Sequence, residues 1–280
     1  MVRFDGYTAT GHDIDPSTVV GWLLSLAGGD QVHMGKGFHT FKDRLWVTDC
    51  SGDQVGAVQY GGTSQGDRVM VEVKGKGTPP LVEALRGFCE HRCTRVDACA
   101  DFDAPGAYER LLVDAIQVKK GHKLYGERRG DWEDHPEKGR TQYLGSASSP
   151  VKARLYEKGL QPEYEHLNLP NWVRLELQVR PQKEAKAAYS KLTPLEVWGA
   201  SRWTRDLAAA VLAEHVDPHP AGTVYKLTDR DHKLRWMLRQ YGPALVSLAD
   251  DCGGWDVAGL TLSEMLSELR TERGMGQRPI

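Results

Sequence analysis

Three segments of the 280-residue chain gather charged and phenolic side chains in patterns that could carry chemistry. In RVDACADFD, residues 95–103, alternation along a strand puts Arg95, Asp97, Cys99, Asp101 and Asp103 on one face and Val96, Ala98, Ala100 and Phe102 on the other. In WVRLELQVR, residues 172–180, Trp172, Arg174, Glu176, Gln178 and Arg180 oppose Val173, Leu175, Leu177 and Val179. In ARLYEK, Arg154, Tyr156 and Lys158 share a face. An antiparallel sheet with one wet face accounts for the alternation by itself. It does not account for carboxylates and guanidiniums paired at the centres of the polar faces.

The elements needed to position these strands are legible around them. Short β-prone runs at 2–8, 44–49, 54–60 and 68–73 are separated by punctuation such as GGD, SGDQ and GGTSQGD. Pro79 and Pro80 open a helical pattern, LVEALRGFCEH, and Pro105 opens another through about Val118 with Leu111, Leu112, Ala115 and Ile116 as its apolar stripe. Residues 119–140 read as a polar, exposed excursion before the strand TQYLG, the turn SASSP and the strand KARLYEK. Beyond Pro181 the pattern predicts helices at 182–190, 194–199, 202–215, 228–240, 243–250 and 260–272. The expected fold is α+β: an antiparallel sheet flanked by helices over 1–216, then a smaller helical module over 217–280, with DPHPAGT at the boundary.

Composition excludes several classes. With 40% hydrophobic and 26% charged residues, the chain is neither disordered nor low-complexity. No window approaches the roughly 18 apolar residues of a membrane span. The opening MVRFDGYTATG lacks a basic segment followed by an apolar run, and the five cysteines (Cys50, Cys89, Cys93, Cys99, Cys252) show no framework spacing. Both features lead us to expect a cytoplasmic protein with reduced thiols. A net charge of −2 gives no nucleic-acid footprint for the whole chain but leaves a local basic patch open.

The strings RVDACADF, TQYLGSASSPVKARLYEKG and NWVRLELQVR, with the opening RFDGYT, resemble the replication initiation factor family. That family comprises rolling-circle initiators of staphylococcal-type plasmids, filamentous phages and conjugative elements. The most specific feature is the spacing Y-L-G-S…S…R-L-Y-E-K, and the resemblance runs from about residue 4 to 250. It implies a site-specific, divalent-metal-dependent DNA nickase in a bacterial host. Carried onto this chain, the nucleophile is Tyr156, with Arg154 and Lys158 beside it; the acidic positions are Asp97 and Glu176. Ala147 stands where many relatives carry a basic residue in the turn before the nucleophile strand. The implied partners are a single-stranded or hairpin replication origin, the host helicase and polymerase, and no membrane; monomer and homodimer stay open.

Elementary chemistry is consistent with those roles. A phenol with a pKa near 10 costs about 4 kcal/mol to ionise at neutral pH, so a tyrosine nucleophile needs a cation nearby. Arg154 is two residues away on the same face. Mg²⁺ or Mn²⁺ takes hard oxygen ligands and accepts substrate phosphate in open positions, which suits Asp97 and Glu176. Asp101 lies about 13 Å farther along its strand than Asp97, so it ranks behind them as a ligand. Asp97 and Glu176 read equally well as ion-pair partners of Arg95 and Arg174.

From Lys119 to Lys158 there are ten Lys or Arg against six Asp or Glu, an excess that surrounds Tyr156. This excess, together with the polar strand faces, makes Arg140, Lys152 and Arg174 candidate DNA contacts. Lys233, Arg235 and Arg239 add a basic stripe in the C-terminal module, which reads equally as a solvated helix face. Cys89, His91, Cys93 and Cys99 lack zinc-site spacing. Gly35 and Gly37 in MGKGF read as a turn sooner than a phosphate cradle. A conjugative relaxase of the same family and a non-catalytic DNA-binding regulator are the alternatives, with a metabolic α+β enzyme behind them.

Overall fold

The computed structural model describes residues 1–222 and 229–272, and of 229–232, 235 and 270–272 it describes the backbone alone. The strands are β1 (Val2–Gly11), β2 (Gln31–Lys36), β3 (Asp43–Thr48), β4 (Gln54–Tyr60), β5 (Val69–Lys74), β6 (His91–Asp103), β7 (Arg128–Arg129), β8 (Thr141–Leu144), β9 (Val151–Glu157) and β10 (Trp172–Val179). The helices are α1 (Pro16–Leu26), α2 (Thr78–Phe88), α3 (Ala107–Gly121), α4 (Ala185–Tyr189), α5 (Arg202–Leu212), α6 (Asp229–Asp251) and α7 (Trp255–Glu272). Among the described residues the ten strands form one sheet in the order β2-β3-β4-β5-β1-β6-β10-β9-β8-β7, and every pairing is antiparallel.

The apolar face of this sheet is the core. Helix α1 contributes Val19 and Leu23, and α2 contributes Leu81, Val82 and Leu85, to the cluster that holds Val47, Val58, Val71, Val73, Val96 and Leu177. Helix α3 adds Leu111 and Ala115 to the same cluster, beside Leu144, Ala153 and Leu155. Each fully buried Leu or Val contributes roughly 1.5–3 kcal/mol relative to exposure. The polar residues of the strands therefore lie on the opposite face.

Three elements carry no clear signal in the sequence: α1, β2 and the two-residue strand β7, which lies in the polar stretch 119–140. Helix α1 is written PSTVVGWLLSL, a run whose β-branched residues and glycine weaken helical propensity. Its start is set by capping: the Asp15 side chain accepts from the Ser17 N–H at 3.3 Å, with Pro16 in the first turn. Strand β2 is an edge strand with mostly exposed residues, so it lacks a buried alternation. Pro243, the first residue of the helix expected over 243–250, is accommodated inside the single helix α6, which joins that segment to the one before it.

The chain divides into two compact units, Met1–Val224 and Tyr225–Ile280. Within the first, residues 217–222 are hydrogen-bonded in place: the His219 N–H donates to Gly199 O at 2.8 Å and Tyr189 Oη donates to His219 O at 2.5 Å. The second unit contains α6 and α7, with Trp236, Leu238, Trp255 and Leu260 exposed on them. No helix of the described residues is long and apolar enough to cross a membrane.

Candidate active site

Cross-strand register aligns the polar faces into rows, because residues directly opposite each other project to the same side of the sheet. Tyr156 of β9 lies opposite Arg174 of β10, which lies opposite Asp101 of β6. The next row runs Tyr143, Arg154, Glu176, Cys99. The third runs Lys152, Gln178, Asp97 and then Gly6 of β1. Asp97 and Glu176 are diagonal neighbours on adjacent strands, a spacing of roughly 7–8 Å that long side chains can bridge.

Tyr156 is 3% exposed, and its hydroxyl donates to Glu176 Oε2 at 3.3 Å. Arg154 Nη2 donates to the same carboxylate oxygen at 2.8 Å, and its guanidinium stands 4.7 Å over the Tyr156 ring. Burial and the Glu176 charge raise the Tyr156 phenol above its ordinary range, while Arg154 and Arg174 pull it down. Burial likewise raises Glu176; Arg154 opposes that shift and Asp97 adds to it. A carboxylate that binds protons more readily than usual, hydrogen-bonded to a phenol, is a competent acceptor for the phenolic proton.

Asp97 is held by Arg95, from Nη2 at 2.5 Å and Nε at 3.1 Å. Gly6 makes room for it: a Cβ at residue 6 would lie 2.7 Å from Asp97 Oδ2. Lys158 lies just past the end of β9, its ammonium 4.3 Å over the Tyr164 ring and 5.2 Å over Trp172. Burial, followed by the charge of Arg174, lowers Lys158 to about 8 despite the carboxylates of Asp5 and Asp101.

A cavity of about 210 Å³ opens beside Glu176, lined by Arg95, Lys152, Arg154 and Arg180 with Tyr143 and Gln178. Burial and the charges of Arg180 and Arg95 lower the Lys152 ammonium. Four crowded cations facing one lining carboxylate make a strong field for an anion, and a bound phosphate would relieve their mutual repulsion.

Other expected contacts lie elsewhere. Arg174 is 1% exposed and is spent on carboxylates, donating to Asp5 Oδ1 at 2.8 Å and to both Asp101 oxygens at 2.6 and 2.8 Å. Asp101 also accepts from Trp172 Nε1 and Arg3, and although burial opposes its charge, Arg174 holds it below the usual carboxylate range. Asp101 is thus tied up in ion pairs with Arg174 and Arg3, although in the register it is a diagonal neighbour of Glu176 just as Asp97 is. Arg140 is on the far side of β9, bonded to Glu157 and Glu109. Lys233 and Arg239 are exposed on α6 in the second unit, and the side chain of Arg235 lies outside the described residues.

Four members of the site escaped the sequence reading. Asp5 sits at a bulge in β1 between Phe4 and Gly6, where alternation no longer predicts the face. Arg95 and Arg180 belonged to the polar faces but carried no motif. Tyr143 is recognisable as a cavity residue only once β8 is paired with β9.

Among the described residues no group of three His, Cys, Asp or Glu stands ready to hold a metal ion. Asp97 and Glu176 nonetheless supply hard oxygen donors on one face. Such a pair fits an ion like Mg²⁺, which keeps several waters and completes its shell with substrate phosphate.

The sequence model of the replication initiation factor family matches residues 92–237, a span that includes β8, β9, β10 and all of β6 but its first residue. No curated protein matches the chain. Among solved structures it is similar to the rolling circle replication initiator protein from Geobacillus stearothermophilus, with 20% identity, a TM-score of 0.47, and coverage of 71% of this chain and 83% of that one.

Proposed function

The chain belongs to the replication initiation factor family, and on that premise we propose that it nicks one strand of a replication origin by attack of Tyr156 on a phosphodiester. The observation that carries this reading is the Tyr156 hydroxyl bonded to Glu176, with Arg154 on both groups, at the edge of a cavity lined by four cations. The cations of the cavity bind the backbone phosphates and bring the scissile one to the phenol. As the Tyr156 Oη–P bond forms, the phenolic proton passes to Glu176. The P–O3′ bond breaks, and the 3′ oxygen leaves as a hydroxyl with a proton returned from Glu176. Tyr156 is left joined to the 5′ phosphate, and the free 3′-OH is the primer for the host polymerase. An aryl phosphate keeps the reactivity of the bond, so the strand can later be rejoined.

Arg154 lowers the cost of the tyrosinate and neutralises the phosphate it approaches. Lys158, with its ammonium close to titrating at neutral pH, adds a second cation whose charge a phosphate would restore. Asp97 and Glu176 would hold Mg²⁺ or Mn²⁺. When bound, the cation stabilises charge that develops on the phosphoryl oxygens.

Covalent capture tests this without knowledge of the origin. The full chain is incubated with a randomised single-stranded DNA library and Mn²⁺, SDS-resistant adducts are sequenced, and the modified peptide is mapped. The expected adduct is on Tyr156, and Tyr156→Phe lowers its yield at least about a thousandfold. Tyr108→Phe, Tyr143→Phe and Tyr164→Phe keep it. An adduct that survives Tyr156→Phe overturns the assignment, and no adduct with any DNA favours a non-catalytic DNA-binding regulator.

A further inference from the structure

The polar face of the sheet does not end at the catalytic rows. The row that contains Arg95 continues through Thr8 of β1, Glu72 of β5, Ala57 of β4, Trp46 of β3 and His33 of β2. At its far end four planar groups follow one another. The rings of His33 and Trp46 are stacked, with centroids 5.3 Å apart and planes 19° from parallel. The Arg44 guanidinium stands 5.1 Å from the Trp46 ring and 5.4 Å from the Phe38 ring. Phe38 closes the series with 58% of its surface exposed.

Several features hold this array on the polar face. Gln59, opposite Arg44 in the register, accepts the Phe38 N–H at 2.6 Å and so fixes the loop that carries the ring. Gly35 clears the space for the indole, since a Cβ there would lie 3.1 Å from Trp46 Cζ3. The glycine of MGKGF thus has a steric use at the array. Arg44 Nη2 donates to Gln54 at 2.8 Å, while its buried Nε has no acceptor among the described residues. The carboxylate between the array and the cationic cavity, Glu72, is paired with Lys74 at 3.1 Å.

We propose that His33, Trp46, Arg44 and Phe38 form a platform on which unpaired bases of the DNA strand stack as it leaves the cationic cavity. This rests on the nicking reading and extends it to a second contact region. Bases present π faces of any sequence to aromatic rings and guanidiniums, and a phosphate backbone tolerates the cation between them. From β9 to β3 there are six strand steps, about 29 Å at roughly 4.8 Å each. That distance suits the roughly 4–16 nucleotides that single-strand binding folds cover.

The test compares bases with backbone. Fluorescein-labelled oligothymidylate of about 20 nucleotides, an abasic oligomer of equal length and charge, and a short oligothymidylate of about 4 nucleotides are titrated against the full chain by anisotropy. Phe38→Ala and His33→Ala are chosen because neither residue is buried. Either should weaken the long oligothymidylate at least about fivefold, with the abasic oligomer and the short one unchanged. Phe38→Tyr, which keeps a ring, should restore wild-type affinity. Equal affinity of wild type and Phe38→Ala for the long oligothymidylate overturns the platform, as does an equal loss for the abasic oligomer, which would indicate charge or folding. If the wild type binds none of the three probes, the nicking reading fails with it. If the wild type binds all three and forms the Tyr156 adduct, only the platform is at stake.

Discussion

Strand β9 has a tyrosine, an arginine and a glutamate packed against each of its faces, and the two trios are built differently. On the polar face Arg154 stands 4.7 Å over Tyr156 and shares Glu176 with the phenol. On the helical face Arg140 stands 4.5 Å over Tyr108, and Glu157 accepts from the Arg140 backbone N–H, Nε and Nη2 at 2.8, 2.9 and 2.7 Å. Glu157 is thereby saturated, and the Tyr108 hydroxyl has no hydrogen-bond partner among the described residues. Glu176 instead receives both of its donors on one oxygen and borders the cavity. Similar residue types therefore make a tie between loop, helix and strand on one side and a phenol with a proton acceptor on the other. Position relative to the open face, more than composition, separates them.

The sharpest way to break this comparison is to neutralise each glutamate in turn. Glu176→Gln should lower the rate of adduct formation by about 10²–10⁴, the range of a lost proton acceptor, with little change in melting temperature. Glu157→Gln should leave the rate per folded molecule unchanged and cost about 2 kcal/mol of stability, because Arg140 loses the more buried of its two carboxylate partners. Reversal of the two outcomes would move the chemistry to the other face.

A smaller effect separates the arginines and lysines. Lys152→Ala removes one cation of the cavity and should reduce the slope of log affinity against log salt for single-stranded DNA by about 0.7. Arg140→Ala should leave that slope as it is, since Glu157 and Glu109 already occupy its guanidinium. Equal changes in the two slopes would place DNA against both faces of β9.

The smallest effect concerns Lys158. An unfolded lysine titrates near 10.5 and the folded one near 8, so between those values the folded state binds fewer protons and stability rises with pH. Below about 8 both states are protonated and the full cost of burying the ammonium is present. Lys158→Met should accordingly melt higher than wild type at about pH 7, and the gap should narrow as the pH approaches about 10. A gap independent of pH would show that Lys158 carries no such cost.

Much of this arrangement was readable in the linear chain. Alternation assigned Asp97, Glu176, Arg154 and Tyr156 to polar faces, since period-2 patterns are local. Neighbouring strands β6, β10 and β9 then brought those faces together. Asp97 pairs with Arg95, as alternation allows, but the partner of Glu176 is not the one that alternation suggests. By strand alternation Glu176 reads as a partner of Arg174, yet it pairs with Arg154, while Arg174 is taken by Asp5 and Asp101. Asp5 comes from a bulge some 169 residues away in sequence from Arg174, and no local pattern reports such a contact. Arg140 looked like a member of the basic cluster because net charge along the chain carries no information about which face a residue takes.

Local physics therefore accounts for the central strands, the helices that begin near Pro79 and Pro105, and the faces on which the reactive types fall, because propensity, capping and alternation act over a few residues. The motif spacing that marks the family is also a property of the chain alone. Register and sheet order were decided in three dimensions. They set Glu176 beside Arg154, diverted Arg174 into a buried network, hid Arg140 behind β9, and aligned His33 and Trp46 with Arg95 across five intervening pairings. Each of these depends on which strands become neighbours, and that choice is made by burial of the shared apolar face, a sum over the whole first unit that no single segment contains.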